Sequence, residues 1–172
     1  MAHVLFGTDG IRGVANRELT PEMAFRLGQA IVAVMGNKGR AADPTHPRFL
    51  IGRDTRRSGA MLQGALAAGI TSSGGDALLA GIVPTPALAA LLRPLTCAGG
   101  VMISASHNPP EYNGLKVFAG SGYKLSDADE AALETLLQTD PLPFATRPVG
   151  TAVGRVIDIP DAAERYVARL VS

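Results

Sequence analysis

Short apolar runs alternate along this chain with longer stretches in which apolar residues recur at helical spacing. Val4-Leu5-Phe6 reads as a short strand that runs into the loop Gly7-Thr8-Asp9-Gly10-Ile11-Arg12-Gly13. Thr20 and Pro21 then open a helix, a capping hydroxyl followed by a ring suited to the first helical position. Ala24, Leu27, Ile31 and Val34 give that helix one apolar face, and residues 36–47 are polar and Gly/Pro-bearing, a loop. Phe49-Leu50-Ile51 reads as a buried strand ending in Gly52-Arg53-Asp54-Thr55-Arg56. A second helix covers about 58–73, with Leu62, Ala65, Leu66, Gly69 and Ile70 turned inward. Asp76 to Ala80 is the next strand, and Pro84-Thr85-Pro86 opens a short helix through Leu92. Gly100 to Ile103 is a strand delivering Ser104-Ala105-Ser106-His107-Asn108-Pro109-Pro110. Asn113-Gly114 is a turn signal, and Leu115 to Phe118 is strand-like. Ser126 with Asp129 resembles a capping box before a third long helix over 131–137. Residues 140–153 read as linker and 160–171 as a terminal helix.

Strands alternating with helices predict a sandwiched, mainly parallel sheet, whose ligands sit at the carboxyl ends of the strands. Segments 7–13, 52–56 and 104–109 all follow strand ends, so three loops converge on one expected site. Composition narrows the ligand. With 47% hydrophobic and 18% charged residues, the 172-residue chain is a folded domain rather than a disordered tail. A net charge of +1 gives no global field for nucleic acid or an anionic membrane, so an anion must be held by a local cluster. The most apolar stretch, 59–92, is broken by glycines and prolines and makes no membrane span, and no basic leader opens the chain. Cys97 is the single cysteine, which excludes an internal disulfide or a multi-cysteine zinc site and fits a reducing, cytoplasmic setting. Thirteen of the sixteen cations are Arg, and the Lys residues are Lys38, Lys116 and Lys124.

Four segments carry candidate chemistry. Ser104 to Pro109 is a small-residue turn stiffened by proline, either a capped polar turn or a presented nucleophile. Asp9 and Arg12 lie among three glycines, which suits either an anion cradle or a structural ion pair. Arg53, Asp54 and Arg56 are either a lock bracing neighbouring loops or a ligand contact. Lys116 is either a solvated edge residue or a group that moves a proton or neutralises phosphate. No Walker loop, GxGxxG, GxSxG, HExxH or calcium loop occurs, and His3, His46 and His107 lack metal-ligand spacing.

Together these segments resemble the N-terminal domain of the α-D-phosphohexomutases, most closely the members that act on an amino sugar. The matching pieces are Phe6 to Gly13 with Asn16 and Leu19-Thr20-Pro21-Glu22, then Gly52 to Arg56, Thr85-Pro86-Ala87, Ile103 to Pro109 and Asn113-Gly114-Leu115-Lys116. Order and spacing hold from residue 4 to about residue 140. The resemblance implies a three-layer α/β/α sandwich on a mixed, mainly parallel sheet. It implies residues 1–155 as the domain carrying the phosphoserine loop, and 156–172 as a terminal helix leading toward a second domain. It implies an isomerase in which Ser106 is the phosphoserine and, once phosphorylated, gives one oxygen to Mg²⁺. Ser106, His107, Lys116 and Arg12 are the catalytic residues so implied, with Arg12, Ser104, Asn108 and Lys116 touching substrate or phosphate. The expected partners are a hexosamine phosphate, its 1,6-bisphosphate and the remaining mutase domains, with neither nucleic acid nor membrane.

Family members have four domains, and this chain stops near the end of the first. The aspartate metal loop, the sugar loop and the phosphate-binding loop of the later domains are absent, so the 172 residues alone are expected to be inactive. Two alternatives stand beside this reading: a domain acting on neutral hexose phosphates, and a non-catalytic binding module on the same fold.

Overall fold

The computed structural model describes residues 10–37, 45–139 and 147–171. Its elements are β1 (Ile11–Val14), α1 (Pro21–Met35), β2 (Arg48–Arg53), α2 (Gly59–Ser72), β3 (Asp76–Ile82) and α3 (Thr85–Leu91). They continue as β4 (Gly99–Ile103), β5 (Tyr112–Ala119), α4 (Asp127–Gln138), β6 (Val156–Asp158) and α5 (Ala162–Leu170). The strands form one sheet in the order β1-β5-β4-β2-β3-β6. Strands β4, β2, β3 and β6 run parallel, and β5 is antiparallel to both of its neighbours, β4 and β1. The mixed, mainly parallel sandwich expected from the sequence is therefore present.

Two apolar layers hold it. Alternate residues of a strand face opposite ways. Phe49, Ile51, Val101, Ile103, Leu115 and Val117 pack beneath Leu27 and Ile31 of α1, Leu66 and Ile70 of α2 and Leu133 of α4. Leu50, Leu78, Met102 and Phe118 face the other way, under Leu88 and Leu91 of α3 and Ala162 of α5. Each fully buried large side chain contributes about 1.5–3 kcal/mol. The caps follow the sequence: Thr20 Oγ1 accepts the Met23 N–H at 3.3 Å, and Ser126 Oγ accepts the Asp129 N–H at 3.2 Å.

Three local expectations need correction. Residues 11–14 are strand rather than loop, because pairing with β5 at Ile11↔Leu115 and Arg12↔Gly114 satisfies their backbone. Asn113-Gly114 lies inside β5 and makes no turn. Of the stretch expected as a terminal helix, Val156–Asp158 is instead a strand joined to β3, and Ala162–Leu170 is helical. The expected strand over residues 4–6, together with residues 7–9 and Lys38, lies outside the described residues. Among the described residues no helix is long and apolar enough to cross a membrane.

Candidate active site

Strand β4 ends at Ile103, and the chain stays tied to β5 for one more residue through the Ser104 N–H to Gly114 carbonyl bond of 3.0 Å. Ala105 is fully buried, which anchors the loop and leaves Ser106 and His107 exposed at the carboxyl end of the strand. Ser106 has φ +55°, a left-handed conformation that few non-glycine residues adopt. Its Oγ lies 3.3 Å from His107 Nδ1. Strain of this kind at an exposed hydroxyl, held by the surrounding structure, is a mark of functional sites.

The exit of β2 braces this loop. The Asp54 N–H donates to the Ile103 carbonyl at 3.1 Å, setting the carboxylate beside the serine loop. Ser104 Oγ donates to Asp54 Oδ2 at 2.6 Å and accepts the Ser106 N–H at 3.0 Å. Arg56, with 11% of its side chain exposed, pairs with Asp54 at 3.1 Å and reaches the same loop.

Arg12 and Lys116 stand on β1 and β5, the strands beyond β4. Because Leu115 and Val117 face one apolar layer and Phe118 the other, Gly114 and Lys116 share the face of Phe118. Arg12 sits opposite Gly114 on that same face, facing away from the layer that takes Ile11. A Cβ on Gly114 would stand 2.6 Å from the Ser104 carbonyl and 3.0 Å from Arg12 Cγ, so the arginine stem lies across the glycine beside the serine loop. Lys116 is half-buried, with Nζ 5.7 Å from the Phe118 ring centre. Next along β5, Asn113 is fully buried: its Nδ2 donates to Ser58 Oγ at 2.9 Å and its Oδ1 accepts the Gly114 N–H at 2.8 Å. That side chain ties β5 to the start of α2 and fixes the strand carrying Lys116.

Comparison with known families matches residues 3–143 to phosphoglucomutase/phosphomannomutase, alpha/beta/alpha domain I. The chain belongs to the phosphoglucomutase/phosphomannomutase family. Among curated relatives it is 54% identical to the phosphoglucosamine mutase of Moorella thermoacetica, over 98% of this chain and 36% of that protein. It is 52% identical to the phosphoglucosamine mutase of Mycobacterium leprae, over 95% of this chain and 34% of that protein. The chain thus spans about a third of the length of the curated relatives it matches. A solved phosphoglucomutase/phosphomannomutase family protein from Burkholderia thailandensis superposes with a TM-score of 0.77 at 27% identity, covering 98% of this chain and 35% of that one.

On this family domain, the segments at 52–56 and 104–109 meet as expected, and Arg12 arrives beside them from a strand rather than a loop. Asp9 lies outside the described residues. The Ser104 hydroxyl proton is engaged inside the loop, donated to Asp54 Oδ2. The Asn108 backbone faces inward, its N–H donating to the Ala105 carbonyl at 3.1 Å. Asn113 and Ser58 support the site without a signal in the sequence. The Asn-Gly pair signalled a hairpin, and nothing local to it marks a partner 55 residues away.

Proposed function

We propose that this chain is the phosphoserine-bearing domain of a phosphoglucosamine mutase, which interconverts glucosamine 6-phosphate and glucosamine 1-phosphate through a 1,6-bisphosphate. The observation that carries the reading is Ser106, an exposed hydroxyl in left-handed backbone at the carboxyl end of β4, with Arg12 and Lys116 on the adjoining sheet face. The amino sugar rests on the 54% and 52% identities to enzymes of that name. A cytoplasmic setting accords with such sugar phosphates as substrates.

In the forward half-reaction a sugar hydroxyl attacks the phosphorus on Ser106. A new sugar O–P bond forms and the Ser106 Oγ–P bond breaks. The sugar hydroxyl gives up a proton, for which Lys116 is the acceptor we assign, and the serine oxygen takes one, for which His107 is within reach at 3.3 Å. Arg12, and Lys116 once it has taken that proton, neutralise the phosphoryl oxygens, which is most of what such transfer requires of a protein. The second half-reaction returns the other phosphoryl group to Ser106.

Magnesium is the expected cofactor, and the described residues do not by themselves fit a site for it. No group of three or more His, Cys, Asp or Glu side chains is gathered among them, and the Asp54 carboxylate already accepts from Ser104 and Arg56. Phosphorylated Ser106 would offer one anchor. The remaining anchors, the sugar contacts and the closing walls belong to the further mutase domains this reading requires.

Intact mass and fragment mapping of the protein purified from its source cells test the reading. Phosphate on Ser106, abolished in Ser106→Ala, is the expected result. Unmodified Ser106 in active cells, with phosphate absent from the whole loop, would overturn it.

A further inference from the structure

A guanidinium has five N–H donors, and in Arg56 all five are engaged inside the protein. Nε donates to Asp54 Oδ2 at 3.1 Å. Nη1 donates to the carbonyls of Pro109 at 2.6 Å and Tyr112 at 3.1 Å. Nη2 donates to those of Ser106 at 2.9 Å and Asn108 at 2.8 Å. The Arg56 backbone N–H also donates to Asp54, to Oδ1 at 3.0 Å, so both carboxylate oxygens hold the arginine in place. Four carbonyls of the segment 106–112 therefore turn inward onto one planar cation, and one of them belongs to Ser106 itself.

Ser106 is the residue of this loop that needs such a hold. Its Cβ disfavours φ +55°, and the residue stays there because its surroundings leave no alternative. Its N–H is fixed by Ser104 Oγ and its carbonyl by Arg56, so both peptide groups flanking the strained torsion are pinned.

We propose that Arg56 is a positioning residue and not a phosphate ligand: it clamps the serine loop by its carbonyls and so holds Ser106 left-handed with Oγ outward. This rests on Ser106 as the phosphoryl carrier. An arginine beside a phosphoserine invites assignment to the phosphate, but this one has no donor left to offer. Phosphate charge then falls to Arg12 and Lys116. Lysine cannot substitute at position 56, because three donors on a tetrahedral nitrogen cannot serve five acceptors spread around a plane.

The test takes the protein together with the further mutase domains that the proposed function requires, and compares it with its Arg56→Lys and Arg12→Lys variants by two measurements. The first is amide hydrogen exchange over residues 104–112. The second is the rate and concentration dependence of phosphoryl uptake from labelled glucosamine 1,6-bisphosphate. R56K is expected to speed exchange in that segment by roughly tenfold or more, with α1 and α2 unchanged. It is also expected to lower the maximal uptake rate at an unchanged half-saturating concentration, whereas R12K leaves exchange alone and raises that concentration. Unchanged exchange in R56K would overturn the clamp whatever the chain's activity. A raised half-saturating concentration in R56K would overturn it too, by making Arg56 a phosphate ligand. Faster exchange in R56K with no uptake even by the unaltered protein with all its domains would leave the clamp standing as a structural device. That last result removes both the carrier reading of Ser106 and the positioning role built on it.

Discussion

Ser104 gives its hydroxyl proton to Asp54 across 2.6 Å, and the same oxygen takes the Ser106 amide proton at 3.0 Å. One hydroxyl thus joins the exit of β2 to the exit of β4 and fixes the residue next but one along the chain. The carboxylate it uses is also the counter-charge of Arg56, so serine, aspartate and arginine form one unit beneath the loop. Their side chains are engaged with one another and with the backbone of the loop.

Removing members of that unit is expected to be costly and non-additive. Ser104→Ala should destabilise the chain by about 1–2 kcal/mol through the lost hydrogen bonds. Asp54→Asn should cost roughly 2–4 kcal/mol, since it strips the counter-charge from an arginine that is 11% exposed. The double variant should lose less than the sum, because each change disables the other's contact. Urea denaturation of the three variants checks this, and strict additivity would show that the residues act separately.

Gly114→Ala is expected to damage the site through crowding alone, since the added methyl carries no chemistry of its own. The added methyl would meet the Ser104 carbonyl at 2.6 Å and the Arg12 stem at 3.0 Å. The carbonyl cannot yield without shifting the serine loop, so a loss of about 1–3 kcal/mol follows, together with displacement of Arg12. Thermal unfolding should report the first effect and weaker inhibition by inorganic phosphate the second. A variant with unchanged melting would mean the strands part more freely than the close approach implies.

Much of this was legible in the sequence, and the failures have physical reasons. The α1 face of Ala24, Leu27 and Ile31 and the caps at Thr20 and Ser126 rest on local spacing, and all appear as read. Strand β1 reads as a loop because Gly10 precedes and Gly13 interrupts a run of four residues whose extended form comes from β5, about a hundred positions away. Asn113-Gly114 carries a hairpin signature, yet here the asparagine is buried to hold Ser58 and the glycine makes room for Arg12. Strand β6 is three residues long, with Ile157 alone turned against the second apolar layer, too short a pattern to announce a strand. At the site, Ser106, His107, Arg12 and Lys116 were named through the resemblance. The structure adds that Arg53-Asp54-Thr55-Arg56 contains a lock, which residue types alone left level with a ligand contact.

Cys97 gives a pH dependence with a definite sign. Burial pushes its thiol up to about 12, the nearby Arg48 charge opposing only in part. The folded chain therefore keeps this proton where the unfolded chain loses it. The contribution is whole below the unfolded thiol value of about 8.5 and declines above it, by roughly 1.4 kcal/mol per pH unit, until the folded value is passed. Stability measured from pH 8 to 10.5 should fall less steeply in Cys97→Ala than in the unaltered chain, even though the variant starts lower. Iodoacetamide at pH 8 should label the thiol only in step with unfolding. Rapid labelling of the native chain would show the group to be accessible.

Two glycines of α2 should respond to the same substitution with opposite signs. At Gly69 a methyl would collide with the Phe25 carbonyl of α1 and stand 3.1 Å from Gly28 Cα, since α1 and α2 pack backbone to backbone at this pair. Neither partner is a side chain that can swing aside, so Gly69→Ala must part the helices that cover Phe49 and Ile51. A loss of about 3 kcal/mol or more is expected. At Gly64, one and a half turns earlier, a methyl meets nothing within 4 Å. There the change removes unfolded-chain freedom and adds helix propensity, so Gly64→Ala should stabilise by about 0.5–1 kcal/mol. Denaturant midpoints for both variants, read beside that of the unaltered chain, separate close helix packing from mere helix propensity. If Gly69→Ala proved as harmless as Gly64→Ala, the two helices would have to lie farther apart than this packing requires.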